Sequence, residues 1–203
     1  MDNAGCGQGM AVPLFKEAFL RGGPRAIGYD REIRPRGNET AMQRTDVFVL
    51  HDVLSKHGVE YMIIGKGAAI IQGYSSTTQD IDIYPSKQGE NRVKLLAALR
   101  ELGFVFDIEA DGLCQSPSAE ILAGNDFIQL KGPFELDVVF APDGFECYEQ
   151  ALPMKRVVDG FPLMSIEGIL ITKTAAGRKK DLNDIDDLRL FAAWLKKKVG
   201  RNA

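Results

Sequence analysis

The stretch YMIIGKGAAIIQGYSSTTQDIDIY, Tyr61 to Tyr84, decides how this 203-residue chain is read. Tyr61 to Ile64 is apolar and β-compatible. Gly65, Lys66 and Gly67 interrupt it, a small apolar run from Ala68 to Ile71 follows, and Gly73 closes that run. Polar residues from Ser75 to Gln79 lead into Asp80-Ile81-Asp82-Ile83. The pattern predicts strand, glycine turn, short helix, loop and strand. Residues two apart on a strand share a face. Ile81 and Ile83 are therefore expected in the core, with Asp80 and Asp82 together on the other side. Adjacent carboxylates raise each other's pKa unless a cation neutralises them. Hard oxygen ligands of this kind suit Mg²⁺, which also takes substrate phosphates as ligands. An exposed strand with alternating polar residues would give the same DxD spacing. The glycine turn upstream favours the chemical reading, because backbone N–H groups opening a helix attract phosphate.

Upstream, Val47, Leu50, Val53 and Leu54 keep helical spacing from Thr45, and Gly58 ends that helix. His51 and His57 lie on or just after it with no partner at metal-ligand spacing, and are expected as surface or packing residues. Residues 1–40 are rich in Gly, Pro and Arg and are expected to form a poorly structured extension to a domain spanning 41–199. A second reading starts translation at Met42. Arginines 21, 25, 31, 34 and 36 would then belong to a leader; otherwise they form a solvated tail or touch RNA.

Downstream, Glu90 to Leu102 reads as an amphipathic helix with Val93, Leu96, Ala97 and Leu99 on its apolar side. Phe104 to Ile108 is expected as a short strand and Asp111 to Gly124 as irregular. Asp126–Leu130 and Phe134–Phe140 form a hairpin signal around Lys131-Gly132-Pro133. Asp137 stands in the second of these strands, where burial without a partner is costly; an edge-strand surface position is the alternative. Phe145 to Ala151 suggests a short helix, Asp159-Gly160 a hairpin turn, and Ser165 an N-cap. Asp181 and Asp184 are spaced as N-cap and N3 of a last helix from Leu182 to Val199. Lys173, inside an apolar helical run, has no such structural explanation.

The central stretch resembles the nucleotidyltransferase superfamily (the polymerase-β-like fold), in the form of AbiE-type toxins and related small bacterial proteins. That group's pattern, GG-x-A-x(4)-G-x(2)-R-x-T-x-D-I-D, is met by Gly65, Ala68, Gly73, Thr78, Asp80, Ile81 and Asp82. Lys66, Gln72 and Ser76 depart from it, standing where Gly or Ser, His, and Arg are common. The stretch Ile169 to Leu188 is similar to the group's closing pattern through Lys173, Ala176, Arg178, Lys180, Asp181, Asp184 and Leu188.

The resemblance implies an α+β nucleotidyltransferase fold: a small mixed β-sheet backed by helices, with a helical C-terminal segment. It implies transfer of a nucleoside monophosphate from an NTP to a hydroxyl. Asp80, Asp82 and Asp137 would hold two Mg²⁺ ions, and Asp184 would take a catalytic or orienting role. Gly65, Lys66, Thr78, Lys173 and Arg178 would bind the nucleotide. The first expectation for the acceptor is RNA, tRNA among the candidates, in a toxin–antitoxin system with an antitoxin protein as partner. The alternatives are a small-molecule, antibiotic-type acceptor, or a non-catalytic nucleotide-binding module of the same fold.

Composition is consistent with one globular domain, at 45% hydrophobic and 26% charged residues. The net charge of −3 provides no overall field for nucleic acid, so an RNA contact would need local basic clusters. Cys6, Cys114 and Cys147 are odd in number and far apart, which argues against a disulfide framework or zinc motif and points to a cytoplasmic protein. No apolar run has membrane-spanning length, and no membrane partner is expected.

Overall fold

The computed structural model describes residues 41–108 and 113–199. The expected extension, residues 1–40, lies outside them. In chain order the elements are α1 (Arg44–Lys56), β1 (Tyr61–Ile64), α2 (Gly65–Ile71), β2 (Asp80–Pro85), α3 (Gly89–Glu101), β3 (Phe106–Ile108) and β4 (Leu113–Gln115). There follow α4 (Ala119–Gly124), β5 (Phe127–Leu130), β6 (Glu135–Val139), α5 (Tyr148–Ala151) and a 3₁₀ turn over Leu152–Met154. The chain ends with β7 (Lys155–Val158), β8 (Phe161–Met164), α6 (Ile166–Ala176) and α7 (Lys179–Val199).

The main sheet has the order β5-β6-β2-β1-β8-β7, and β3 and β4 form a separate pair. It is mixed: β2 runs antiparallel to β1 and parallel to β6, and β1 runs parallel to β8. Its outer pairs, β5–β6 and β7–β8, are antiparallel hairpins. The β7–β8 turn places Asp159 and Gly160 at φ 52 and 88, the positive values that a two-residue Asp-Gly turn requires. Strand β2 lies in the middle of the sheet, where its alternation is enforced from both sides. Ile81 and Ile83 are fully buried, while Asp80 and Asp82 stay half-buried on the opposite face. Leu136 and Val138, their register partners on β6, are also fully buried. Each such side chain contributes about 1.5–3 kcal/mol.

Helix α3 presents a different face from the one expected. Asn91, Leu95, Ala98 and Leu99 are buried, whereas Val93 is 65% exposed. The buried stripe of Leu95, Ala98, Leu99 and, just past the helix, Leu102 keeps helical spacing, and polar Asn91 extends it one turn toward the N-terminus, which a count of apolar residues overlooks. Asn91 is buried because its amide joins two chain segments. Its oxygen accepts from the Glu60 backbone N–H at 2.7 Å, and its nitrogen donates to the Glu60 and Ser86 carbonyls at 2.9 Å each. The segment after β3 is also more regular than expected, with β4 and then α4 capped by Ser118 Oγ accepting from the Ile121 N–H. The expected helix from Phe145 is confined to Tyr148–Ala151. Helix α7 begins at Lys179, three residues before Leu182, so Asp181 lies inside its first turn and is not its N-cap. Among the described residues, no helix is long and apolar enough to cross a membrane.

Replacing Asn91 with alanine removes three hydrogen bonds beside β1 and β2: the Glu60 N–H and the buried Ser86 carbonyl lose this partner, while the Glu60 carbonyl keeps the Ser86 N–H. Asn91→Ala is expected to lower stability by about 2 kcal/mol or more, read from the midpoint of urea unfolding. A change under about 0.5 kcal/mol would show that these bonds do not hold the segments together.

Candidate active site

Strand β2 carries Asp80 and Asp82, and β6 carries Asp137 directly beside Asp82 in the parallel register. One carboxylate oxygen from each of the three lies within 4.8 Å of the others, with Asp137 the most buried of the three. Asp137 is thus not an edge-strand surface residue: β6 is flanked by β2 and β5, and Asp137 is 7% exposed. Thr78 Oγ1 donates to Asp80 Oδ1 at 2.6 Å, which fixes the orientation of that carboxylate from the preceding loop. An open depression of about 500 Å³ adjoins this group, lined by Ala41, Thr77, Thr78, Gln79 and Asp80.

Gly65 is required by this geometry. It follows β1 at φ 63, and a Cβ there would sit 3.1 Å from the Asp82 Cγ and closer still to Oδ2. The glycine thus lets the backbone turn directly against the carboxylate group. Gln72, where a histidine is common in the resembling group, is used structurally. Its side-chain nitrogen donates to the Ala68 and Met164 carbonyls, tying α2 to the end of β8.

A second cluster begins one residue on. Lys66 Nζ lies 3.1 Å from Asp184 Oδ2 on α7, and Lys173 Nζ on α6 donates to the same oxygen at 3.0 Å. Lys173 also donates to Asp181 Oδ1 at 2.8 Å, and Arg178 Nε donates to Asp181 Oδ2. Gly177, at φ 59, ends α6 and lets the chain turn so that α7 brings both aspartates back to Lys173. Burial pushes the Asp181 and Asp184 carboxyls up. The hydrogen bonds from Lys173, with Arg178 on Asp181 and Lys66 on Asp184, outweigh it and leave both below the usual carboxylate value. Burial pushes Lys173 down, and its two carboxylate partners more than reverse that.

The residues read from the sequence therefore fall into two neighbouring groups. Asp80, Asp82 and Asp137 converge, with Gly65 and Thr78 against them. Asp184 belongs instead with Lys66, Lys173 and Arg178. Asp181 is the one the sequence reading misplaced. Its N-cap spacing hid a 4%-exposed carboxylate that takes both Lys173 and Arg178. The lone lysine in the apolar run of α6 was the signal that some acid had to meet it.

No model of a known protein family matches this sequence, and no curated protein does either. Solved structures do match. A crystal structure of a "putative nucleotidyltransferase" from Thermotoga maritima aligns over 77% of this chain and 96% of its own, at 18% identity and a TM-score of 0.42. A lincosamide antibiotic adenylyltransferase, crystallised with lincomycin bound, aligns over 74% of this chain and 98% of its own, at 16% identity and a TM-score of 0.51. At such identity the likeness concerns architecture: the chain has a nucleotidyltransferase fold, a mixed sheet with helices. The finer AbiE-type assignment is not carried by these structures.

Two outcomes are expected. Gly65→Ala combines positive φ with a collision against Asp82, and is expected to destabilise the protein by about 1–3 kcal/mol, measured by chemical denaturation; an unchanged midpoint would show that the turn relaxes freely. The second concerns pH. The Asp181 and Asp184 pKa values are lowered on folding, so their contribution is complete above the unfolded value of 3.8 and is lost as pH falls through the folded values. Stability is expected to fall below about pH 4, and Asp181→Asn should flatten that slope in pH-dependent melting. An equally steep slope in the variant would locate the acid sensitivity elsewhere.

Proposed function

We propose that this chain is a nucleotidyltransferase, moving a nucleoside monophosphate from an NTP to an acceptor hydroxyl and releasing pyrophosphate. The observation that carries the reading is the convergence of Asp80, Asp82 and Asp137 from two adjacent strands to within 4.8 Å. In the proposed reaction the hydroxyl oxygen bonds to the α-phosphorus, the bond from that phosphorus to the pyrophosphate oxygen breaks, and the hydroxyl proton is released. The donor set fits a hard divalent cation: three carboxylates, all oxygen, with Asp80 oriented by Thr78. Asp80, Asp82 and Asp137 would hold Mg²⁺, two ions in the full arrangement. Bound there, the metal would lower the acceptor hydroxyl's pKa and offset charge on the triphosphate. Lys66, Lys173 and Arg178 would screen the phosphates.

A small hydroxyl-bearing molecule is the acceptor favoured by charge. Many described cations already face a carboxylate: Arg44 with Asp159, Lys56 with Glu101, Lys87 with Asp126, Lys94 with Glu90, and Lys196 with Glu167. Binding a phosphodiester backbone needs cations free to displace its counterions. The alignment with the lincosamide adenylyltransferase supports the same acceptor class. RNA, with an antitoxin partner and a cytoplasmic setting, remains the second reading and rests on the AbiE-like motif register of Gly65 to Asp82.

The test incubates the full chain with Mg²⁺ and each α-labelled NTP. One arm adds total bacterial RNA, the other a set of hydroxyl-bearing antibiotics including a lincosamide. Label transferred to a small molecule supports the first reading, and a discrete labelled RNA supports the second. NTP binding without transfer in either arm would make the chain a binding module. Asp82→Ala is expected to abolish transfer while the melting curve remains cooperative; a retained rate would overturn the carboxylate mechanism.

A further inference from the structure

Two ammonium groups on different helices meet at a single carboxylate oxygen. Lys66 Nζ and Lys173 Nζ lie 3.1 and 3.0 Å from Asp184 Oδ2, which holds them within about 6 Å of each other. Lys66 leaves the glycine turn one residue after Gly65, whose backbone abuts Asp82. Consecutive residues at the start of α2 thus link the pair to the carboxylate group. Asp181 and Arg178 complete the cluster, so three cations face two carboxylates and the balance is positive.

An ammonium has three N–H donors. Among the described residues, Lys66 directs one at Asp184, and Lys173 spends two, on Asp181 and Asp184. Three donors are left between them, close enough together to reach oxygens of one phosphate group. Two lysines brought this close would repel without a shared counterion. A lysine on a flexible four-carbon stem also has no preferred place unless something holds it. Asp184 meets both needs. It reaches Lys66 from the opposite side of the cluster and leaves that side chain 31% exposed.

We propose that Asp184 is a positioning residue, not a metal ligand: its Oδ2 gathers Lys66 and Lys173 into a two-ammonium cradle for the terminal phosphates of a nucleoside triphosphate. This rests on the nucleotidyltransferase reading and deepens it. Asp184 stands apart from the three converging carboxylates, and its partners are cations in the ground state. Lys66, which departs from the small residue common at this turn, becomes intelligible as half of the cradle. Removing Asp184 frees Lys66 to swing into solvent and leaves Lys173 held by Asp181 alone.

The experiment measures binding of inorganic tripolyphosphate, with Mg²⁺, to the full chain by calorimetry. This probe has no base or acceptor, so it reads the phosphate-binding groups alone, and the Lys66 and Asp184 variants isolate the cradle among them. The wild-type chain is expected to bind it. Lys66→Met and Asp184→Asn should each weaken binding by about tenfold or more, and the double variant should be no weaker than the worse single one, because both remove the same device. A cooperative melt for each variant confirms folding. In the transfer assay Asp184→Asn should raise the KM for NTP with kcat within about twofold.

Three results would overturn the proposal: no tripolyphosphate binding by the wild type, unchanged or tighter binding by Asp184→Asn, or additive losses in the double variant. A fall in kcat with unchanged tripolyphosphate affinity would do so as well, by making Asp184 a catalytic group. Failure of the nucleotidyltransferase reading looks different: tripolyphosphate binds with the expected variant pattern, yet no NTP transfers label.

Discussion

Like charges crowded at the middle of a sheet are the constraint on which the rest of this structure depends. Three carboxylates within 4.8 Å repel one another by roughly 3 kcal/mol per pair when ionised, at an effective dielectric of about 20. Strand geometry holds them there regardless. Asp80 and Asp82 share a face because Ile81 and Ile83 occupy the other, and Asp137 is fixed beside Asp82 by Leu136 and Val138. Burying those four side chains contributes free energy of the same order as the repulsion. The fold tolerates this crowding, and three carboxylates gathered at this spacing are suited to sharing a cation.

The second cluster balances the first across a single turn of chain. Gly65 allows the backbone against Asp82, and Lys66, the next residue, carries positive charge to Asp184. The close approach and the cation come from consecutive residues, so the position of one determines the other. Helices α6 and α7 supply the rest through the Gly177 turn. The sheet provides negative charge, the C-terminal helices and their turn pair Lys173 and Arg178 with Asp181 and Asp184, and Lys66 on α2 supplies the excess positive charge. A triphosphate with bound metal has the complementary arrangement: cations on one side, phosphate oxygens on the other.

How much of this was legible in the sequence depended on whether the signal was local. The period-2 alternation of Asp80 to Ile83 gave the strand, its buried face and the paired carboxylates. The Asp-Gly pair at 159–160 gave its hairpin, and Ser165 its cap, with Oγ accepting from the Gly168 N–H. Each needs only neighbours a few residues away. Asn91 was missed because its value lies in backbone groups at 60 and 86, invisible to a pattern that ranks residues by apolarity. Asp181 was misplaced for a related reason. N-cap spacing explained it locally, whereas its actual partners, Lys173 and Arg178, are gathered by a turn whose geometry the sequence suggests only through Gly177.

Lys66 shows the same limit most sharply. Within the motif it is a departure from a small residue, and motif comparison alone counts it against the site. The sequence cannot show that α7 returns a carboxylate to meet it from 118 positions away. Once that contact is known, the side chain has a defined position, two N–H donors to spare, and a second ammonium beside it. A change at one position and a contact partner far along the chain must be read together, because an ammonium at a phosphate turn is obstructive when it is mobile and useful when it is held.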